Sequence, residues 1–199
     1  MNTTETMGTV KVVNNRYKPS GEFHVISPNT PIRNEEGTLT GVTNPKNLIH
    51  MHSYGGEAIF FESLSRGKLL ATRCDNPDCV EGYGSIFQPF RIHCPDCLAK
   101  TTVIDMTELA RTTSRVHTFM ITERTGAFNT LPLPVKFINV EFDGVCTILM
   151  GYLCMGEPAI GMRVVPIFNT RAPTYTILDL WWVPEGTTED QLPENFSFA

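Results

Sequence analysis

Four of the six cysteines in this 199-residue chain lie in two closely spaced pairs, Cys74 with Cys79 and Cys94 with Cys97. Tetrahedral zinc is bound by pairs of this kind, because each short loop delivers two thiolates to one side of the ion. Four thiolates leave no open coordination position for water or substrate, so the metal would be structural. The sequence therefore predicts a rubredoxin-like zinc ribbon over residues 73–100.

The two cysteine loops differ in length. The second, Cys94-Pro-Asp-Cys97, has the standard spacing, whereas the first has two extra residues, among them Asn76 and Pro77. Both are turn formers, so the longer loop can still fold back onto a metal. A redox pair at Cys94 and Cys97 is the alternative, but it leaves the first pair without a use and lacks the surrounding βαβ pattern.

The remaining cysteines, Cys146 and Cys154, are isolated in apolar sequence. We interpret them as residues of packed strands, because neither has a neighbouring motif that would activate a thiol nucleophile. Catalysis needs a nucleophile beside a base or paired carboxylates in a cleft, and a thiolase needs a reactive cysteine near a histidine and a far larger α/β core. The sequence therefore predicts a protein that is not catalytic by itself.

The distribution of charge argues against nucleic acid as a ligand. Residues 1–73, 74–97, 98–184 and 185–199 have net charges of +2, −3, 0 and −4, which together give the total of −5. None of these segments is the basic stripe that phosphate contacts need. The sequence also has neither a long apolar run nor a secretory signal pattern, so we expect a cytoplasmic protein without membrane contact.

The pattern along the chain predicts five parts. Residues 1–45, which are rich in Pro and Gly, form an extended N-terminal arm, with one strand-like run at 9–13, and residues 46–72 form a helical lead-in. In this lead-in, Phe60, Phe61 and Leu64 make an apolar stripe, and Gly67 is a helix stop. The ribbon at 73–100 is followed by a domain at 101–184 and by an acidic C-terminal tail at 185–199.

The domain at 101–184 is predicted to be mainly β. One long, bent strand covers 102–122, strands at 135–142 and 145–153 are joined at Asp143-Gly144, and two more follow at 162–168 and 175–183. Five strands with a central hairpin are typical of an OB-fold barrel. Because consecutive strand residues face opposite ways, we expect one core and one interface residue at Trp181 and Trp182. The tail is expected to be mobile, with Phe196 and Phe198 able to dock.

The order of several motifs resembles a known family. Gly67–Cys74, Cys94–Cys97, Phe137–Gly144 and Gly161–Val165, with His-Thr-Phe-Met-Ile at 117–121, are similar to the zinc-ribbon plus OB-fold family of acyl-CoA-associated proteins, long catalogued as a domain of unknown function. The resemblance covers residues 57–184. The longer first cysteine loop and the 45-residue arm depart from the family pattern.

The resemblance implies a function that the composition does not show. Better understood relatives are non-catalytic subunits of thiolase-type complexes, such as benzoylsuccinyl-CoA thiolase or archaeal acetoacetyl-CoA thiolase, and help to hold the CoA thioester. It implies a hetero-oligomer with a thiolase-like catalytic subunit, with the CoA thioester as a ligand shared with that partner. An OB-fold protein that binds nucleic acid and a self-sufficient enzyme are the alternatives.

OB-fold geometry indicates where CoA would bind. Ligands of this fold lie against the sheet face and the loops between strands 1–2 and 4–5, which here are residues 123–134 and 169–175. These loops contain two cations that suit phosphate and three apolar residues that suit pantetheine. The candidate CoA-binding residues are Arg124, Phe128, Leu131, Pro132 and Arg171. Solvated loop charges are the alternative interpretation of both arginines.

Overall fold

The computed structural model describes residues 9–14, 16–20, 30–43, 54–126 and 129–199. The chain divides into two compact units, Met1–Ser53 and Tyr54–Ala199. In the first unit, β1 (Thr9–Val13) pairs with β2 (Arg16–Ser20), and β3 (Thr30–Arg33) pairs with β4 (Leu39–Thr43), both antiparallel. Of these four strands, the sequence indicated only β1.

The second unit has two α-helices and nine strands among its described residues. The helices are α1 (Ala58–Leu64) and α2 (Thr107–Thr113). The strands are β5 (Leu70–Arg73), β6 (Ile86–Phe87), β7 (Thr102–Asp105), β8 (Arg115–Thr122), β9 (Val135–Glu141), β10 (Leu149–Leu153), β11 (Val164–Asn169), β12 (Leu180–Pro184) and β13 (Phe196–Ser197). The chain is therefore mainly β, as the sequence predicts.

The predicted amphipathic helix is present as α1. Phe60 and Leu64 are buried one turn apart, and Phe61 is half-buried beside them. Gly67 has a φ of +71° and its N–H donates to the carbonyl of Leu64 at 3.0 Å. A left-handed residue that bonds back to the last turn is what ends a helix, so the predicted stop is confirmed.

The long, bent first strand predicted over 102–122 is wrong. Strand β7 ends at Asp105, helix α2 follows, and β8 begins only at Arg115. The Asp105 carboxylate accepts hydrogen bonds from the N–H and the hydroxyl of Thr107, and Met106 and Ala110 are buried at i, i+4 spacing. The three β-branched threonines of α2 gave this segment a strand-like composition. It is nevertheless a helix, because only helical spacing buries Met106 and Ala110 on the same face.

Two sheets make up the second unit. In the smaller one, β5 lies between β6 and β7 and pairs antiparallel with both. The larger has the order β13-β11-β12-β10-β9-β8, in which β10 and β12 are parallel and the other pairs antiparallel. The start of β8 also bridges the segment before β11 at Arg115 and Arg163. This bridge links the edge strand β8 to the segment that leads into β11, the second strand from the opposite edge, while the five-stranded barrel itself remains a prediction.

The hairpin predicted at Asp143-Gly144 is confirmed as the antiparallel pair of β9 and β10, although β10 begins four residues later than expected. The residues between them bond to the smaller sheet instead. Cys146 N–H donates to the carbonyl of Ile86 at 2.9 Å, and the Thr147 hydroxyl bonds both the N–H and the carbonyl of Gln88. The connection between β9 and β10 therefore ties the ribbon to the larger sheet.

One hydrophobic core joins α1, the smaller sheet, α2 and the inner face of the larger sheet. Its buried residues are Phe60, Leu64, Leu69, Ala71, Phe90, Met106, Ala110, Val116, Ile138, Val140, Phe142, Leu149, Leu153, Val164, Phe168, Leu180 and Trp182. Because they form one packed cluster, the helix, the ribbon strands and the larger sheet hold fixed positions within the second unit.

A smaller core lies on the outer face of the larger sheet, where the C-terminal segment covers β11 and β12. Phe196 is buried and stacks on Trp181, with ring centroids 4.1 Å apart, while Trp182 is in the main core. One tryptophan faces each side of the sheet, as predicted. Among the described residues, none of the helices has the length and apolarity that crossing a membrane demands.

Candidate metal centre and apolar groove

The structure brings together the four cysteines that the sequence selected. The Sγ atoms of Cys74, Cys79, Cys94 and Cys97 all lie within 4.8 Å of one another. Cys74 directly follows β5, and the other three lie in the turns on either side of β6. Elements distant in sequence thus bring two cysteine loops to one point.

The longer first loop closes through the turn that its composition predicts. The Asn76 carbonyl accepts from the N–H of Cys79 at 3.0 Å, and the Asn76 side-chain oxygen accepts from the N–H of Asp78 at 3.2 Å. The second loop is closed by a bond from the N–H of Leu98 to the carbonyl of Cys94. The two extra residues are absorbed in a turn and do not displace the thiols.

The thiol geometry fits a tetrahedral ion. Zn–S bonds of about 2.3 Å place sulfur atoms roughly 3.8 Å apart along the edges of a tetrahedron. Two Sγ–Sγ distances between the loops match this value, 3.8 Å for Cys74–Cys97 and 3.9 Å for Cys79–Cys94. All four thiols thus converge from both loops, which is the arrangement that a shared ion needs. The cluster can hold a metal such as zinc.

The surroundings of the cluster shift the pKa values of two of these thiols in opposite directions. Burial raises the pKa of the Cys79 thiol to about 12, while a hydrogen bond from the Asn76 side chain lowers that of Cys97 to about 6. Without a metal the cluster therefore resists full ionisation, because adjacent thiolates repel and buried charge is costly. A bound divalent cation would balance that charge and deprotonate the ligands.

Gly82 closes one side of the cluster. A Cβ on this residue would lie 2.9 Å from the Cys79 Sγ, 3.1 Å from the Cys94 Sγ and 2.5 Å from an oxygen of Asp96. These distances are below normal contact, so the chain passes the thiols at a separation that only glycine allows. The sequence analysis did not single out this residue.

A second candidate site begins with an apolar cavity on the outer face of the larger sheet. Cross-strand pairing places Phe137 on β9 opposite Tyr152 on β10, and Tyr152 opposite Trp181 on β12. This first cavity has a volume of about 90 Å³ and is lined by Leu131, Phe137, Met150, Gly151, Tyr152, Ile177, Leu178, Leu180 and Trp181. Strand residues thus form its floor, and residues from two loops form its sides.

A second, adjoining cavity of about 240 Å³ shares the lining residues Met150 and Ile177 with the first. It lies between α1, the ribbon and β10, and is lined by Glu57, Phe60, Phe61, Pro89, Phe90, Leu149, Met150 and Ile177. The two spaces together make a nearly continuous apolar surface that runs from the sheet to the helix. We refer to both together as the apolar groove.

A buried carboxylate organises the loop on one side of the apolar groove. Asp179 is fully buried and accepts hydrogen bonds from the N–H groups of Thr174 and Tyr175 and from the side-chain amide of Asn169. The Tyr175 carbonyl in turn accepts from the hydroxyl of Tyr54. This network fixes the loop that carries Ile177.

The predicted CoA-binding residues are not brought together. Leu131 lines the groove and Pro132 is exposed beside it in sequence, but neither arginine is among the lining residues. Arg171 lines a separate depression with Glu189, Asp190 and Glu194, where its guanidinium donates to the Glu194 carbonyl. Arg124 is exposed in its loop. Phe128 lies outside the described residues.

Sequence reasoning missed most of the groove residues. Phe137, Met150 and Tyr152 are apolar or aromatic at strand positions that face away from the main core. An antiparallel sheet with one solvated face would place polar residues there. Apolar residues at these outward-facing strand positions were the signal in the sequence that could have indicated the groove.

The two isolated cysteines differ from the expectation of packed strands. Cys146 is exposed in the connection between β9 and β10, because that segment pairs with the ribbon, so its predicted burial is wrong. Cys154 is half-buried, and burial raises its pKa to about 11. A thiol that stays protonated at neutral pH is a poor nucleophile.

Comparisons with known proteins give similarities at the level of structure. No family model matches the sequence, and no curated protein matches it. A protein of unknown function from the DUF35 family of Sulfolobus solfataricus is 21% identical with a TM-score of 0.48, over 67% of this chain and 90% of that chain. The Ltp2-ChsH2(DUF35) aldolase is 20% identical with a TM-score of 0.48, over 64% of this chain and 93% of that chain. Both are described as DUF35 proteins.

Proposed function

We propose that this chain is a non-catalytic, zinc-binding accessory subunit of a thiolase-type acyl-CoA enzyme complex, and that it helps to hold the CoA thioester. The observation that carries the proposal is the apolar groove. It lies on the sheet face between the β8–β9 and β11–β12 connections, which would be ligand-binding loops if the domain has the predicted OB fold, and it belongs to the same packed unit as the four-cysteine centre.

The residues that line the groove are suited to binding a ligand and not to catalysing acyl transfer. Glu57 is the one acidic or basic residue among the described lining residues, and burial raises the pKa of the Tyr152 hydroxyl above its usual range. An acyl transfer needs a nucleophile, a proton-transfer group and an oxyanion site. These groups would come from the catalytic partner.

The part of the thioester that fits is the pantetheine arm with its acyl group. Both are uncharged, whereas the diphosphate needs Arg or Lys, and no cation is among the described lining residues. The two spaces of about 90 and 240 Å³ are also small for a whole CoA molecule. We infer that the nucleotide end is held mainly by the partner.

The role proposed for zinc is structural. Cys74, Cys79, Cys94 and Cys97 would hold one ion, which fixes two loops too small to build a core of their own. Because the ribbon strands belong to the main core, this also fixes the ribbon against α1 and the groove.

The test is titration of the purified native complex with an acyl-CoA thioester. Met150 is exposed and lines both spaces of the groove. Met150→Glu places a carboxylate on this apolar surface, and we expect thioester affinity to fall about tenfold or more because that charge loses solvation when ligand binds. Ile148→Glu is the matched control, since Ile148 is also exposed but is not a lining residue.

Three results would contradict the proposal. Equal affinities in both variants would remove the groove as the CoA site. Purification without a thiolase-type chain would remove the accessory role, and recovery with RNA or DNA would favour the nucleic-acid alternative. Metal analysis supplies an independent check, with about one zinc expected per chain.

A further inference from the structure

Three large apolar side chains are exposed on the residues that follow the two cysteine loops. Val80 directly follows Cys79 and is 96% exposed, Tyr83 is 62% exposed, and Leu98 directly follows Cys97 and is 74% exposed. The convergence of the four Sγ atoms places the two loops side by side, and a Cβ on Gly82, which follows the first loop, would lie 2.5 Å from an oxygen of Asp96 in the second. The three side chains therefore belong to one end of the ribbon, which we call the ribbon tip.

Leu98 is an unusual residue for its backbone conformation. Its φ is +57°, in the left-handed region that glycine and asparagine adopt with the least strain. The turn fixes this conformation, because the N–H of Leu98 donates to the Cys94 carbonyl and the N–H of Cys94 donates to the Ala99 carbonyl. A strained leucine whose side chain gains no burial in this chain indicates a role outside it.

Three exposed carboxylates lie beside the cysteine pairs at the ribbon tip. They belong to Asp78, Glu81 and Asp96, and the ion pairs of the described residues include none of the three. Over the whole ribbon, residues 73–100, the sequence has four acidic and three basic residues, and the basic Arg73 is paired with Asp75. A nucleic acid, an anionic membrane or the same tip of a second copy would meet like charge here.

We propose that the ribbon tip is the surface on which the catalytic partner docks, and that the partner presents an apolar depression rimmed by Lys or Arg. This inference rests on the proposed function and adds the contact surface and the chemistry of the partner. Val80, Tyr83 and Leu98 enter the depression, and the carboxylates face the basic rim. Interfaces of this kind have an apolar centre and a charged rim that speeds association.

The test compares variants of the full chain for binding to the catalytic chain that co-purifies from the native source. Val80→Ser combined with Leu98→Asn removes two apolar contacts, and asparagine also suits the left-handed backbone. We expect the affinity to fall about tenfold or more, with zinc content and thermal midpoint unchanged or higher. Ile160→Ser is the matched control, because Ile160 is also 74% exposed but lies in the connection before β11.

A charge variant tests the rim independently. Glu81→Lys is expected to slow association and to weaken the decrease of affinity that added salt causes in the wild-type complex. Unchanged affinity and salt dependence in both variants would overturn the ribbon tip as the interface while leaving the complex, and so the proposed function, intact. Failure of the wild-type chain to bind any thiolase-type chain would instead overturn the proposed function.

Discussion

The cysteine loops of the ribbon and the larger sheet belong to one compact unit but are held together by different interactions. Around the thiols, Phe87 is the one large apolar side chain that is buried with Cys74, Cys79 and Cys94. The sheet instead contributes most of the seventeen buried residues of the main core. We therefore expect the loops to depend on a bound metal for their order and the sheet to depend on packing, so that each can be disturbed separately.

The largest expected effect is removal of the metal. Chelation, or Cys94→Ser, should disorder the cysteine loops, since structural zinc in small domains contributes about 10–16 kcal/mol of apparent binding free energy. The main core does not use the thiols, so we expect β9, β10 and β11 to keep slow amide hydrogen exchange while residues 74–85 and 93–99, which carry the cysteines, lose protection. Equal loss of protection in both regions would show that the sheet also needs the ribbon metal.

The second largest effect is expected from a substitution in the core of the larger sheet, which leaves the cysteine loops unchanged. Trp182 is fully buried, so Trp182→Ala should lower the free energy of unfolding by about 3–5 kcal/mol. Trp182→Phe keeps most of the side-chain volume and should cost less. Urea unfolding measures both, and the folded variants should retain zinc. Loss of zinc from folded Trp182→Ala would contradict the separation of the two regions.

A smaller change at the thiols tests how tightly the ribbon is built. Gly82→Ala puts a methyl group within 2.9 Å of the Cys79 Sγ, and displacing the loop to make room should cost about 1–3 kcal/mol. Competition with a chelator should therefore show weaker zinc binding, while Gly84→Ala serves as a control because a Cβ there meets no atom within 4 Å. Since Gly84 has a φ of +78°, this control carries backbone strain without crowding the thiols.

The smallest effect is expected at the surface of the sheet. The Lys136 ammonium lies 2.6 Å from a carboxylate oxygen of Glu157, whose side chain is exposed. Surface ion pairs contribute about 0–1 kcal/mol, so Glu157→Gln should change the free energy of unfolding by no more than about 0.5 kcal/mol. The Lys136 ammonium keeps its bond to the Gly156 carbonyl in that variant. A much larger loss in urea unfolding would show that this exposed pair helps to hold β9 to the β10–β11 connection.

Local chemistry is what made parts of this protein predictable. The cysteine spacing, the turn formers at Asn76, the helix stop at Gly67 and the Asp143-Gly144 hairpin all act within a few residues. Helix α2 was missed because its short sequence has strand-like composition, and burial of Met106 and Ala110 against distant residues decides its form. The two arginines predicted to bind CoA are not among the lining residues of the groove, since a loop's position does not give the direction of its side chains.

The sequence by itself determined that four thiols form two closely spaced pairs and that the chain has no basic stripe, because spacing and charge are properties of neighbouring residues. Only the tertiary structure decided that Phe137, Tyr152 and Trp181 form one row on the outer face, because strand register depends on how distant segments pair. It also decided that Val80 and Leu98 share one end of the ribbon. These residues are 18 positions apart in sequence, and the meeting of the cysteine loops brings them to the same surface.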